Sequence, residues 1–368
     1  MTDRPAQAPQ PPHTSAEDPA ADAPAGARRR WPFVLLLVPL LLMAWGAWRG
    51  ATSATSEAHV LRLAHNLNVR HPVHRGMEVF AAEVARLSQG RLRVDIYADG
   101  TLGGERELVE LVQLGSLAMT KVSAGQLEAF TPQMRVFSLP YLFDDREHFW
   151  RFATSAQGQA LLDAPLAQRL KGLTFYDAGS RSFYFGRGVS QPVRHPDALR
   201  GLAIRVMPSR TAMRMVEAFG AKPVPIPFGE LYSALDTGTV DAAENNPPSL
   251  YTSRQYEVAS SYSLNEHMIL PDVLVIGTDA WARLDPQEQG WLQAAARTSA
   301  VAQRRLWDEA EREDLASMRE AGLVVVEDVD RAAFRAAVQP VHALPEFAGA
   351  QMQALVAAIA AQGRDAPP

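Results

Sequence analysis

The sequence predicts an α/β fold in which two lobes face each other across a cleft and one long helix spans both. Three observations predict it. Strand-like and helix-like stretches alternate in two separate runs of chain, a short pattern recurs between those runs at a constant offset, and no helix breaker except Gly290 stands between Pro286 and Gly322.

The first run starts with Leu61-Arg-Leu-Ala64, a short alternating strand. Val73, Met77, Phe80, Val84 and Leu87 then recur at the spacing of one helix face. Gly90 supplies a left-handed stop. Leu92, Val94 and Ile96 alternate with Arg93, Asp95 and Tyr97 as a second strand, residues 105–114 form a helix ending at Gly115, and residues 117–123 form a third strand. This β-α-β-α-β order predicts a mostly parallel sheet covered by helices.

In the second run, Leu202, Ile204 and Val206 alternate with Ala203, Arg205 and Met207. Ser209 caps a helix that stops at Gly220. Residues 222–226 form a strand broken by proline, and residues 228–236 form a helix. Glu107, Leu108, Val112, Gly115 and Leu117 match Glu230, Leu231, Leu235, Gly238 and Val240 at one offset. The strand ends at Ser123 and Asn246 then correspond. Ligands of open α/β sheets sit at the carboxyl ends of strands, so two such ends face to face make a binding cleft.

Asp285-Pro286 is an N-cap followed by the residue best suited to the first helical position. A helix of about 35 residues is roughly 50 Å long at about 1.5 Å per residue, enough to brace two lobes. Lobe one is expected to hold 59–178 with a return through 271–310, and lobe two to hold 179–270 with 311–368.

Residues 1–58 are expected to stand outside this fold. Residues 1–30 are rich in Pro and Ala and too poor in large apolar groups to order themselves. Arg28-Arg29-Arg30 precedes an uncharged apolar run, 31–48, and small residues follow as far as Ala58. This is the order of a secretory signal, with cleavage after Ser53 or Ala58. The 18-residue run also meets the lower limit of a spanning helix and so equally describes a retained anchor. Both readings keep the N-terminus in the cytoplasm and export the rest of the chain.

Composition narrows the function. The net charge of −5, without a long basic run after residue 30, disfavours nucleic acid as a partner. The absence of cysteine removes disulfides, thiolate metal sites and thiol catalysis. There is no nucleophile elbow, phosphate loop, dinucleotide fingerprint or zincin histidine pair, so neither an enzyme nor a cofactor is expected.

Several polar residues stand where a cleft would be. His65 and Asn66 end the first strand and are candidate polar contacts. His71 and His74 stand close to His65, but no carboxylate or cysteine joins them at ligand spacing, and His71-Pro72 reads as a helix start. Arg205 lies on the face of its strand opposite Leu202, Ile204 and Val206. Either it faces a cleft or a partner, because a buried lone charge is costly, or its strand is an edge and the guanidinium is solvated. Asn245 lies in Glu244-Asn-Asn-Pro-Pro248, which is either a binding turn or a cap before a helix.

At these residues the chain resembles the solute-binding proteins of TRAP transporters, the tripartite ATP-independent periplasmic family. The resemblance runs from about residue 60 to 345. It is carried by Ser88-Gln-Gly-Arg-Leu-Arg-Val-Asp-Ile-Tyr97, Leu102-Gly-Gly-Glu-Arg-Glu-Leu108, Phe137-Ser-Leu-Pro-Tyr-Leu-Phe143, Gly179-Ser-Arg181, Gly201-Leu-Ala-Ile-Arg-Val206, Pro225-Ile-Pro-Phe-Gly-Glu-Leu-Tyr-Ser-Ala-Leu235 and Val240-Asp-Ala-Ala-Glu-Asn245. Ala203 stands where the family usually has Lys, and Ala242-Ala243 where it usually has a Gly. The resemblance implies a monomeric clamp that binds a small organic acid and delivers it to one small and one large membrane subunit. It implies that Arg205 holds the ligand carboxylate, Arg181 is a second basic contact, Asn245 hydrogen-bonds the ligand and Phe228 walls the pocket. Lys121 and Ser123 lie where members vary, and they are expected to tune specificity. A sugar acid of the hexuronate type is the expected ligand. A C4-dicarboxylate, its second carboxylate on Arg181 or Lys121, is the alternative, and a membrane-tethered ligand sensor is the rival role.

Overall fold

Leu61 and Leu63 turn into the core from β1 (His59–Ala64), and Leu92 and Val94 do the same from its parallel neighbour β2 (Leu92–Tyr97). The computed structural model describes residues 58–363. The arginine cluster and the apolar run 31–48 lie outside the described residues, among which no helix is long and apolar enough to cross a membrane. Between the two strands runs α1 (Pro72–Leu87), which buries Val73, Met77, Phe80 and Val84. His71 opens it, its side chain accepting the Val73 N–H at 3.2 Å. Then follow α2 (Glu105–Gln113), β3 (Met119–Ser123), the short α3 (Ala124–Leu127), α4 (Arg146–Thr154) and β4 (Leu170–Tyr176). The chain crosses to a second sheet and forms β5 (Ser180–Gly186), β6 (Ala203–Val206), α5 (Arg210–Ala218), β7 (Lys222–Pro225) and β8 (Ala242–Asn245). After α6 (Pro247–Thr252), β9 (Ala259–Ile269) leads back to β10 (Asp272–Gly277) in the first sheet.

The first sheet has the order β2-β1-β3-β10-β4, and the second, closed by β11 (Val324–Val326), the order β11-β9-β5-β8-β6-β7. The triplets β2-β1-β3 and β7-β6-β8 are parallel and identically ordered, and a glycine of the repeated pattern at positive φ, Gly115 or Gly238, precedes the third strand of each. The sequence similarity at constant offset thus has a counterpart in topology.

The sheets are less parallel than expected. β10 runs antiparallel to β3 and β4, and β5 antiparallel to β8 and β9. The cause lies in the crossings. Residues 177–179 carry the chain from β4 to β5, and residues 270–271 bring it back from β9 to β10. The two crossing segments run side by side in opposite directions, so Asp272 pairs with Tyr176 and Ile269 with Ser180 in what is almost one ladder.

The long helix is α7 (Pro286–Glu320), closed at its start by an Asp285–Glu288 capping box. It lies against α1 so closely that a Cβ on Gly76 would stand 2.5 Å from Gln303 Cγ. Gln303 also brackets the first crossing, accepting the Asp177 N–H at 2.8 Å and donating to the Asp177 carbonyl at 2.9 Å. Two residues on, Gly179 adopts φ +58°, and a Cβ there would stand 2.8 Å from Trp307 Nε1. Gly179→Ala therefore combines a left-handed backbone with a collision, and we expect it to cost about 1–3 kcal/mol of stability. An unchanged calorimetric melting temperature would show that Trp307 has room to give.

Beyond residue 311 the chain adds β11 to the second sheet. The last helix, α8 (Ala350–Ala360), packs back on α4, where the Ile359 carbonyl lies 2.7 Å from His148 Nε2 and the Gln362 carbonyl accepts from Arg151 at 2.7 Å.

Candidate functional site

β6 lies between β8 and β7, so Arg205 is not on an edge. Ile204 and Val206 anchor the strand in the core, and Arg205, on its other face, is only 2% exposed. Its Nε donates to the Ile226 carbonyl at 2.8 Å. It makes no ion pair among the described residues, and burial pushes its guanidinium below its ordinary pKa. The solvated-edge alternative is excluded. Arg205 lines a cavity whose walls come from both sheets.

The other buried cations of the cavity are already matched. Arg181, on β5, forks onto Glu244 of β8, Nη2 donating to Oε1 at 2.9 Å while Nε meets Oε2. Burial opposes both charges, but their attraction outweighs it. The arginine is held above its usual value, and Glu244, with help from His267, is held down at about 2. Arg181 Nη1 also donates to Asn245 Oδ1 at 2.9 Å. Lys121 Nζ meets Glu105 Oε1 and lies 3.3 Å from Asp272 Oδ1. Here one ammonium faces two carboxylates. Burial raises the Asp272 carboxyl to about 6, with Lys121 pulling against it and Glu105 adding to it. Lys121 therefore does not present a free cation to a ligand.

Asn245 and Asn246 divide the two roles between them. Asn246 caps α6, its Oδ1 accepting the Ser249 N–H at 2.9 Å. Asn245 keeps its Oδ1 on Arg181 and on the Asn246 N–H, which leaves its amide N–H groups for the cavity it lines. Asn66 lines the cavity from the loop after β1, and its Oδ1 is buried without a hydrogen-bond partner. Ser123 and Phe228 are also in the wall, with Phe228 packing against apolar residues around β1 and α1.

His65 is a correction. It does not reach the cavity. Its Nδ1 accepts the Leu67 N–H at 3.1 Å, and its Nε2 lies 2.9 Å from His74 Nδ1. Burial, then the nearby Lys121 and His74, push it down to about 2, so it is a neutral ring that shapes the loop presenting Asn66. His71 turns away from the other two, its Nε2 lying 3.1 Å from Ser249 Oγ on the opposite wall.

Sequence reasoning missed Glu105, Gln126, Ser249 and Asp272, all in the wall. Glu105 begins a helix, which is an ordinary place for an acid. The available signal was the level of Glu105 and Lys121 at neighbouring carboxyl ends of the sheet.

Residues 63–348 match the sequence profile described as "Bacterial extracellular solute-binding protein, family 7". A relative in Salmonella typhimurium named "Uncharacterized protein YiiZ" is 37% identical over 285 residues, covering 77% of this chain and 86% of the relative. Among solved structures, a TRAP periplasmic solute binding protein from a Bradyrhizobium species, in complex with α/β-D-galacturonate, is 34% identical with a TM-score of 0.79 and covers 82% of this chain and 99% of its own. A similar protein from Roseobacter denitrificans, with bound β-D-glucuronate, is 33% identical with a TM-score of 0.78 over 82% of this chain and 98% of its own.

Proposed function

This chain belongs to the bacterial extracellular solute-binding proteins of family 7, the binding subunits of TRAP transporters, and from that premise we propose that it captures a hexuronate such as galacturonate or glucuronate. It works outside the cytoplasmic membrane, carried there by its basic and apolar leader, and hands its ligand to the membrane subunits of the transporter. Its role is binding and delivery rather than catalysis.

One observation carries the ligand reading. Arg205 is the one cation of the cavity wall without an anionic partner among the described residues. A buried guanidinium of this kind recruits one carboxylate, and its planar fork fits that group in two hydrogen bonds. The C4-dicarboxylate alternative needs a second free cation, and both candidates for it, Arg181 and Lys121, are occupied. Around Arg205 stand Asn66, Ser123, Asn245 and Ser249. A bare alkyl acid would leave the buried Asn66 Oδ1 and the amide N–H groups of Asn245 without partners, whereas sugar hydroxyls would satisfy them. A ligand held by residues of both sheets also ties the two halves together.

Calorimetric titration with galacturonate, glucuronate, succinate and a neutral hexose tests this. Both hexuronates, or one of them, should bind at least a hundredfold tighter than succinate, and the hexose should not bind. Capture of the neutral hexose would remove the carboxylate anchor, and preference for succinate would remove the sugar acid.

A further inference from the structure

We propose that Glu105 and Asp272 determine the specificity of the pocket, restricting it to acids with a single carboxylate by meeting sugar hydroxyls where a second carboxylate would have to lie. The proposal rests on the hexuronate reading above. Its own basis is the charge pattern of the cavity. Arg205 enters from β6 of the second sheet and is unpaired. The first sheet contributes Lys121 from β3, Glu105 from the start of α2 and Asp272 from the start of β10. The Arg181–Glu244 pair is neutral. The Lys121 group carries one negative charge in excess, so the cavity has one positive wall and one negative wall.

The open valences of this group are acceptors. Glu105 Oε1 is taken by Lys121, while its Oε2 accepts from Gln126 Nε2 at 2.7 Å and from the Ser123 N–H at 3.3 Å. Asp272 Oδ1 is near Lys121, and Asp272 Oδ2 accepts no hydrogen bond among the described residues. Ionised carboxylates only accept, so what completes this wall is a donor, and a hydroxyl is one. A carboxylate placed there would find a like charge and no proton to share. Such juxtapositions exclude competitors more effectively than they strengthen the favoured ligand.

A hexuronate and its aldaric acid differ in the oxidation state of C1, an aldehyde or ring hemiacetal carbon in the first and a carboxylate on an open chain in the second. Galacturonate and galactarate therefore form the probe pair. The full-length chain should bind galacturonate at least a hundredfold tighter than galactarate. Asp272→Asn removes the surplus charge while keeping the shape, and should narrow that ratio at least tenfold. Glu105→Gln should narrow it in the same direction. Each ratio is measured within one folded protein, so a loss of stability alone does not move it, and a thermal melt of each variant confirms folding. Equal wild-type affinity for the two acids would overturn the proposal, as would a ratio unchanged in both variants. A wild type that ignores hexuronates, but binds another monocarboxylate and rejects the matching dicarboxylate, would sink the hexuronate reading and support this one.

Discussion

Arg205→Ala should lose about 2–5 kcal/mol of ligand affinity, the usual cost of truncating one member of a buried charge pair. That corresponds to a weakening of about thirtyfold to several thousandfold in a calorimetric titration. The size follows from the isolation of Arg205. Arg181 and Lys121 stand in the same wall, but each is bound to its own carboxylates and cannot turn to the ligand without abandoning them. Arg205→Lys should recover only part of the loss. An ammonium keeps the charge but not the planar fork, and the Ile226 carbonyl that accepts from Nε loses its donor. The unliganded Arg205→Ala protein should melt no lower than wild type, since it no longer buries a lone charge. A variant binding as tightly as wild type would show that the carboxylate sits elsewhere.

Lys121→Met should lower folding stability by about 3–5 kcal/mol at neutral pH, because it strands two carboxylates that share one buried site. The loss should depend on pH in a particular direction. The folded protein already holds the Asp272 proton more tightly than the unfolded chain does, with a pKa of about 6 against 3.8. A carboxyl raised in this way costs stability above its unfolded value, and the cost disappears as pH falls toward that value. Removing the ammonium that holds Asp272 down raises it further. The gap in melting temperature between variant and wild type should therefore close as pH drops from 7 to about 4. Adding Glu105→Gln and Asp272→Asn to the same protein should restore most of the loss at pH 7. A gap that is flat with pH would mean that Lys121 contributes packing, not charge.

The parts of this fold that were legible in the sequence are those written in local periodicity. The β1-α1-β2-α2-β3 unit, its counterpart around β6 and the long helix from Asp285 all follow from alternation, caps and glycine stops a few residues apart. The antiparallel ladder was not legible, because a strand alternates every two residues whichever way its neighbour runs. The site divided along the same line. Arg205 stands out as a charge between Ile204 and Val206, and Asn245 as part of the polar run Glu244-Asn-Asn-Pro-Pro248 at a strand end. The state of Lys121 depends on Asp272, 151 residues away, and no local pattern carries that contact. His65 shows the converse limit. Its place at a strand end located the backbone correctly, but its side chain turned to His74 instead of the cavity.

The paired crossings at 177–179 and 270–271 have a mechanical consequence. The ladder pairs on either side of them, Tyr176 with Asp272 and Ser180 with Ile269, make a flat strip, and such a strip bends more easily out of its plane than it shears within it. Gln303 and Trp307 hold one side of this strip against the rigid rod of α7. A strip held in this way would favour one motion of the two sheets, opening and shutting like a book on its spine. An entering acid would then meet Arg205 and the Lys121 group already aligned for each other, with little twisting or sliding of the walls left to arrest. Little of the energy of encounter would be spent on orienting the walls, which would leave more of it for discriminating one acid from another.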